Sequence, residues 1–131
     1  VGLMQLMPAT AMQMGKSLGV EAPRWKLIDS EFNIQLGTKY LNHVLSKFDD
    51  NIALATAAYN AGPSRVTKWI ADRPVALDLW VETIPFDETR AYVRRVIFNT
   101  AVSEWLLRDG SVTRISDRMK EPPAWQAHLE D

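Results

Sequence analysis

Residues 52–59 read IALATAAY, a stretch that is apolar or small on nearly every side. A helix with that pattern has no face to offer to water and belongs in the middle of a core. Its alanines let neighbouring helices approach closely, so the rest of the chain is expected to pack as helices around it. The stretch runs into Asn60-Ala61-Gly62-Pro63. Gly62 suits a left-handed helix end and Pro63 the first turn of a new helix, with Val66, Trp69 and Ile70 as its apolar face.

The remaining segments follow the same helical period. Pro8 has no N–H to leave unsatisfied and opens a helix that runs to about Leu18, before Gly19. A loop with Pro23 and Trp25 follows. The next helix is capped by Asp29 or Ser30 and places Ile34, Gly37, Leu41, Val44, Leu45 and Phe48 on one stripe. Gly37 costs about 1 kcal/mol relative to alanine in mid-helix, which implies close approach of another helix there. Arg73-Pro74 closes the segment after Pro63, and a short helix through ALDLWVETI leads to Pro85. A last long helix starts near Asp87 as N-cap, with Glu88 in its first turn, and ends by Gly110. It carries Val93, Val96, Ile97, Thr100 and Ala101 on one face. Phe98, Val102 and Trp105 form a second face, so this helix is expected to be sandwiched. No period-2 alternation with hairpin turns appears, and the fold class is all-α. One domain is expected over residues 1–110. Residues 111–131, with Pro122-Pro123, form a C-terminal extension that Trp125 and Leu129 would anchor.

Composition then removes whole classes of function. Lys and Arg number 15 against 16 Asp and Glu, so no basic field recruits nucleic acid. The chain has no cysteine, hence no thiolate nucleophile and no Cys-ligated zinc. His43 and His128 lie far apart, without metal-ligand spacing, and no serine sits in a nucleophile elbow. No apolar run approaches the roughly 20 residues of a membrane helix. Carboxylates, amides, aromatics and methionines remain. Those are the groups a saccharide cleft uses, polar ones for hydroxyl and acetamido groups, apolar ones for pyranose faces.

GLMQLMPATA at 2–11, NIQLGTKYL at 33–41, AAYNAGPSRV at 57–66 and VETIPFDETRAYV at 81–93 together resemble the catalytic domain of the soluble lytic transglycosylases, in the family's order. The resemblance extends from residue 2 to about 100 and implies a goose-lysozyme-like helical fold. It further implies action on peptidoglycan glycan strands, no cofactor, and a periplasmic or cell-envelope location. The reaction implied is cleavage of the β-1,4 bond between N-acetylmuramic acid and N-acetylglucosamine. One glutamate protonates the leaving oxygen and then, as base, helps the muramic 6-hydroxyl close a 1,6-anhydro ring. In the family that glutamate lies in a Glu-Ser motif upstream of Gly-Leu-Met-Gln, so it is expected to precede Val1. No carboxylate in the chain sits in a recognisable catalytic motif, and residues 1–131 alone are expected to be inactive.

Residue by residue, the resemblance makes Gln5 and Met7 saccharide contacts, Tyr59 a neighbour of the glutamate, and Asn60, Glu82 and Tyr92 further substrate contacts. Each has a plainer reading: a helix-entry turn for Gln5 and Met7, a helix end for Tyr59 and Asn60, a solvated acid for Glu82. Met4 is expected in the core. Arg90 is expected to be structural, with Glu88, Arg90 and Tyr92 forming an ion pair and a hydrogen bond. Trp69, Trp80 and Trp105 fall on apolar faces and are expected in the core, while the pattern assigns neither Trp25 nor Trp125. Two other functions stay open at this level: a peptidoglycan-binding module without chemistry, and a lysozyme-like hydrolase in which water attacks instead of the 6-hydroxyl.

Overall fold

The computed structural model describes residues 2–70, 76–114 and 117. Its helices are α1 (Pro8–Leu18), α2 (Ser30–Lys47), α3 (Ile52–Ala61), α4 (Pro63–Trp69), α5 (Leu77–Thr83) and α6 (Asp87–Leu107), with a 3-10 turn at Arg24–Ile28. Among the described residues there is no strand, as the helical period predicts. The chain groups into two compact units, residues 1–44 and 45–131.

In the first unit, α1 begins as expected, with Met7 extended at the N-cap and Pro8 at the first helical position. It ends at Gly19, whose φ of 69° is left-handed. Gly19 N–H donates to the Lys16 carbonyl and Val20 N–H to the Gly15 carbonyl, which satisfies two of the orphan carbonyls of the last turn. The expected loop is partly ordered as the 3-10 turn, with Leu27 buried inside it and Trp25 73% exposed. Asp29 caps α2, its carboxylate accepting from Phe32 N–H at 2.8 Å.

The buried face of α2 differs from the expected stripe. Phe32, Asn33, Leu36, Gly37, Tyr40 and Val44 are buried, whereas Ile34 and Leu41 are 46% and 36% exposed. The buried face includes a polar residue, Asn33, that a count of apolar side chains passes over. Gly37 does accommodate a close approach, but of the N-terminal loop rather than a helix: a Cβ there would lie 2.4 Å from Met4 Cβ.

In the second unit, α3 is the expected buried helix: Ala53 to Ala58 and Ala61 are all buried, and it packs against α4 and α6. Asn51 caps it by accepting from Leu54 N–H at 3.1 Å. Gly62 joins α3 to α4, and here the expectation is corrected. Its φ of 95° is positive, but a ψ of 142° lies outside the left-handed helical region, because the residue must end one helix and extend directly into Pro63. Val66 is fully buried, Trp69 and Ile70 partly. Trp80 on α5 is 4% exposed and donates its indole N–H to the Trp69 carbonyl at 3.1 Å, so a buried donor is satisfied.

Three expectations for α6 are revised. Asp87 is the first helical residue and Phe86 the N-cap, since the Asp87 carboxylate turns to Arg90 instead of capping. The helix ends at Leu107, and Glu104 gathers the following turn by accepting from Arg108 and from the Thr113 amide and hydroxyl. Among the described residues the second apolar face stays exposed: Phe98, Val102 and Trp105 are 64%, 38% and 52% exposed. Trp105 is therefore not a core residue; periodicity marks an apolar face but does not supply its cover. Arg73-Pro74, Pro122-Pro123, Trp125, His128 and Leu129 lie outside the described residues.

Candidate functional site

Each unit presents its own candidates. In the first, residues 2–7 form a turn held by one buried amide. Asn33 accepts from Met4 N–H at 2.7 Å and donates to the Leu27 carbonyl at 3.0 Å, and it is completely buried. Met4 leans on Gly37, and Leu6 is 2% exposed. Between these inward residues, Gln5 and Met7 point out. Met7 is 66% exposed. Gln5 has a φ of 52°, unusual for a residue with a side chain, and both its backbone N–H and its side-chain amide donate to the Gly2 carbonyl. Met4, expected in the core, is only half-buried and packs on Gly37, while Gln5 and Met7 are displayed on a turn fixed from beneath.

In the second unit, Tyr59 and Asn60 form the last turn of α3, Tyr59 half-buried and Asn60 exposed. Asn60 is more than a helix end. Its Oδ1 accepts from the Thr89 hydroxyl at 2.7 Å, and Thr89 is buried on α6. The side chain is thereby oriented across α3 and α6, tying the AAYNAG stretch to the ETRAYV stretch. Near this junction Phe86 sits edge-on to Trp69, ring centroids 5.2 Å apart, with the Arg65 guanidinium 5.4 Å from its ring centre. Arg65 also donates to the Ala61 carbonyl at 3.0 Å. These contacts fix the start of α6 to α4.

Glu82 lies exposed on α5 and is not simply solvated. Arg94 on α6 donates Nε to its Oε1 at 3.0 Å and Nη2 to its Oε2. The Arg94 hydrogen bond is the main reason the Glu82 carboxyl is held below the ordinary glutamate range, and the pair raises Arg94 in turn. Arg90 is structural, as expected, but its partners are different: it donates to the Ile84 carbonyl at 2.8 Å and pairs with Asp87, not Glu88. At three residues apart on one helix, Asp87 and Arg90 face each other. Tyr92 is half-buried on the same helix.

Sequence reasoning missed Asn33, Thr89 and Arg94. Asn33 and Thr89 stood inside quoted motifs, but a polar residue on a helix gives no sign of its partner. Arg94 lies just beyond the last motif. Among the described residues no three of His, Asp and Glu gather as a metal site, and no helix is long and apolar enough to cross a membrane.

The family profile of the transglycosylase SLT domain matches residues 1–77. The soluble lytic murein transglycosylase of Escherichia coli K12 is 42% identical over 113 residues, covering 82% of this chain and 17% of that protein. The Salmonella typhimurium protein of the same name is 44% identical over 100 residues, covering 73% of this chain and 16% of its own length. The chain thus spans less than a fifth of these relatives. Among solved structures, an inactive glutamate-to-glutamine variant of the lytic transglycosylase Slt from Pseudomonas aeruginosa superposes with a TM-score of 0.78 at 46% identity, over 86% of this chain and 19% of that one. A complex of a 70-kDa soluble lytic transglycosylase with bulgecin A gives 0.83 at 35% identity, over 93% of this chain and 20% of that one.

Proposed function

The chain belongs to the transglycosylase SLT family, and from that premise we propose that it is the catalytic region of a peptidoglycan lytic transglycosylase. The bond cleaved is the β-1,4 link from N-acetylmuramic acid to N-acetylglucosamine, and the product ends in 1,6-anhydro-N-acetylmuramic acid. Residues 1–110 form the catalytic domain and 111–131 an extension, and the protein works in the periplasm or cell envelope.

The observation that carries this reading is the Asn60–Thr89 hydrogen bond. It gives the exposed amide beside Tyr59 one fixed orientation, which is what a ligand-binding amide needs and a helix end does not. Tyr59, Asn60, Glu82 and Tyr92 contact the glycan strand, and Gln5 and Met7 do likewise, with Tyr59 supporting the catalytic acid. Inverting or retaining hydrolysis uses two carboxylates at a set separation; attack by the internal 6-hydroxyl dispenses with the second. The one acid required must hold its proton near neutral pH, through a pKa raised by burial. Glu82 is the opposite case, exposed and with its carboxyl lowered further by Arg94, so it serves as a hydrogen-bond acceptor and not as the acid. In the family the acid lies in a Glu-Ser segment ahead of Gly-Leu-Met-Gln.

Mass spectrometry of murein digested by the full-length protein tests the reading. The expected products are lighter by one water than those of hydrolysis. Products with free reducing ends would make the protein a lysozyme-like hydrolase, and retention on murein without cleavage would make it a binding module.

A further inference from the structure

We propose that Arg94 is the positioning residue of Glu82, holding its carboxylate as an oriented, acceptor-only contact for hydroxyl or amide N–H groups of the glycan strand. The proposal rests on the transglycosylase reading above and extends it to a residue outside the motifs.

The geometry is that of a fork. One guanidinium meets both carboxylate oxygens, Nε on Oε1 and Nη2 on Oε2, and the partners sit on α5 and α6, which pack together. A glutamate side chain on a surface helix otherwise samples several rotamers. Two parallel hydrogen bonds to a planar partner narrow that freedom and favour one plane of the carboxylate as well as one place. The Glu82 and Arg94 side chains stay 53% and 54% exposed, so the oxygens' remaining lone pairs are open to a ligand. An ionised carboxylate only accepts, which selects donors from the substrate. Arg90 does not duplicate this function, because it is engaged by the Ile84 carbonyl and by Asp87. Lysine would not duplicate it either, since a single ammonium cannot span both oxygens in one plane.

The test uses the full-length protein carrying Arg94→Gln, Arg94→Lys, Glu82→Gln, and Glu82→Gln combined with Arg94→Gln. Steady-state kinetics are measured on murein glycan strands. The Glu82 side-chain carboxyl is followed through a pH titration by 13C NMR. An exposed pair couples weakly, so Arg94→Gln and Arg94→Lys are expected to raise KM by roughly two- to fivefold with kcat unchanged. Arg94→Gln has no further effect on KM once Glu82 is glutamine, and it moves the Glu82 titration up towards the ordinary glutamate value. Unaltered KM in both Arg94 variants would overturn the proposal. So would an Arg94→Gln effect of equal size in the Glu82→Gln background, since Arg94 would then act independently of Glu82. If the wild-type protein releases no anhydro product, it is the functional reading that fails. The titration still decides the pair in that case, and a Glu82 midpoint unmoved by Arg94→Gln would overturn it.

Discussion

The two units hold their candidate residues by opposite means. In the first, a neutral amide, Asn33, is completely buried and makes hydrogen bonds to the main chain at Met4 and Leu27. In the second, a charged pair, Glu82 and Arg94, lies half in solvent. A buried polar group that is satisfied costs little, but each partner orphaned by its removal costs about 1–3 kcal/mol. An exposed ion pair contributes little to stability and is screened by salt. The Asn33 contacts therefore determine whether the Gln5–Met7 turn exists at all, whereas the Glu82–Arg94 pair orients a residue whose helix stands without it.

The strongest way to break this contrast is Asn33→Leu. It removes the acceptor that Asn33 offers to the Met4 N–H and the donor it offers to the Leu27 carbonyl, and urea unfolding is expected to show a loss of roughly 2–4 kcal/mol. A loss no larger than that of a surface substitution would show that water replaces the amide and that the turn is not anchored there. Next comes Gly37→Ala. Helix propensity favours it by about 1 kcal/mol, yet the new Cβ would lie 2.4 Å from Met4 Cβ, an atom too close to the main chain to swing aside. Overpacking costs about 1–3 kcal/mol, so thermal melting should report net destabilisation, and a rise in stability would remove the close approach from the account.

Thr89→Val is milder. It takes away the hydroxyl that orients Asn60, but Asn60 is exposed and water can serve it, so about 0.5–1.5 kcal/mol is expected. Murein cleavage should fall by more than that modest loss of stability suggests. The smallest effect on stability belongs to Glu82→Gln, for which no change in melting temperature is expected at neutral pH and high salt. Its pH dependence has a definite sign. Because the folded-state pKa of Glu82 is lowered, the pair contributes above the unfolded value of about 4.3. That contribution disappears as pH falls through the lowered folded value, where wild type and variant should converge. Rising salt should also close any gap between them, while leaving the Asn33→Leu deficit in place.

How much of this was legible beforehand depended on whether a residue's partner is local. The Pro8 start and Gly19 end of α1 were readable, because both follow from backbone geometry within a few residues. So was the burial of α3, whose ten residues carry no charge. The face of α2 differs from its pattern at Ile34 and Leu41, and it includes a buried Asn33 that looks polar in a pattern. Phe98, Val102 and Trp105 were recognised as an apolar face, but the sequence of α6 does not state what lies against it. Gln5, Met7, Tyr59, Asn60, Glu82 and Tyr92 were all named from motifs. Thr89 and Arg94, which hold two of them, were not, because each partner lies 29 or 12 residues away on a different helix.

By itself, then, the sequence determined the helical class, most helix ends and the membership of the family, all of which rest on short-range geometry and on motifs that survive as strings. Only the tertiary structure decided which polar side chains meet. Those meetings select a buried amide to hold one turn and a guanidinium fork to hold one carboxylate. A hydrogen bond between helices depends on how two faces are turned towards each other, and a rotation of one position along either helix would have given the same residues different partners.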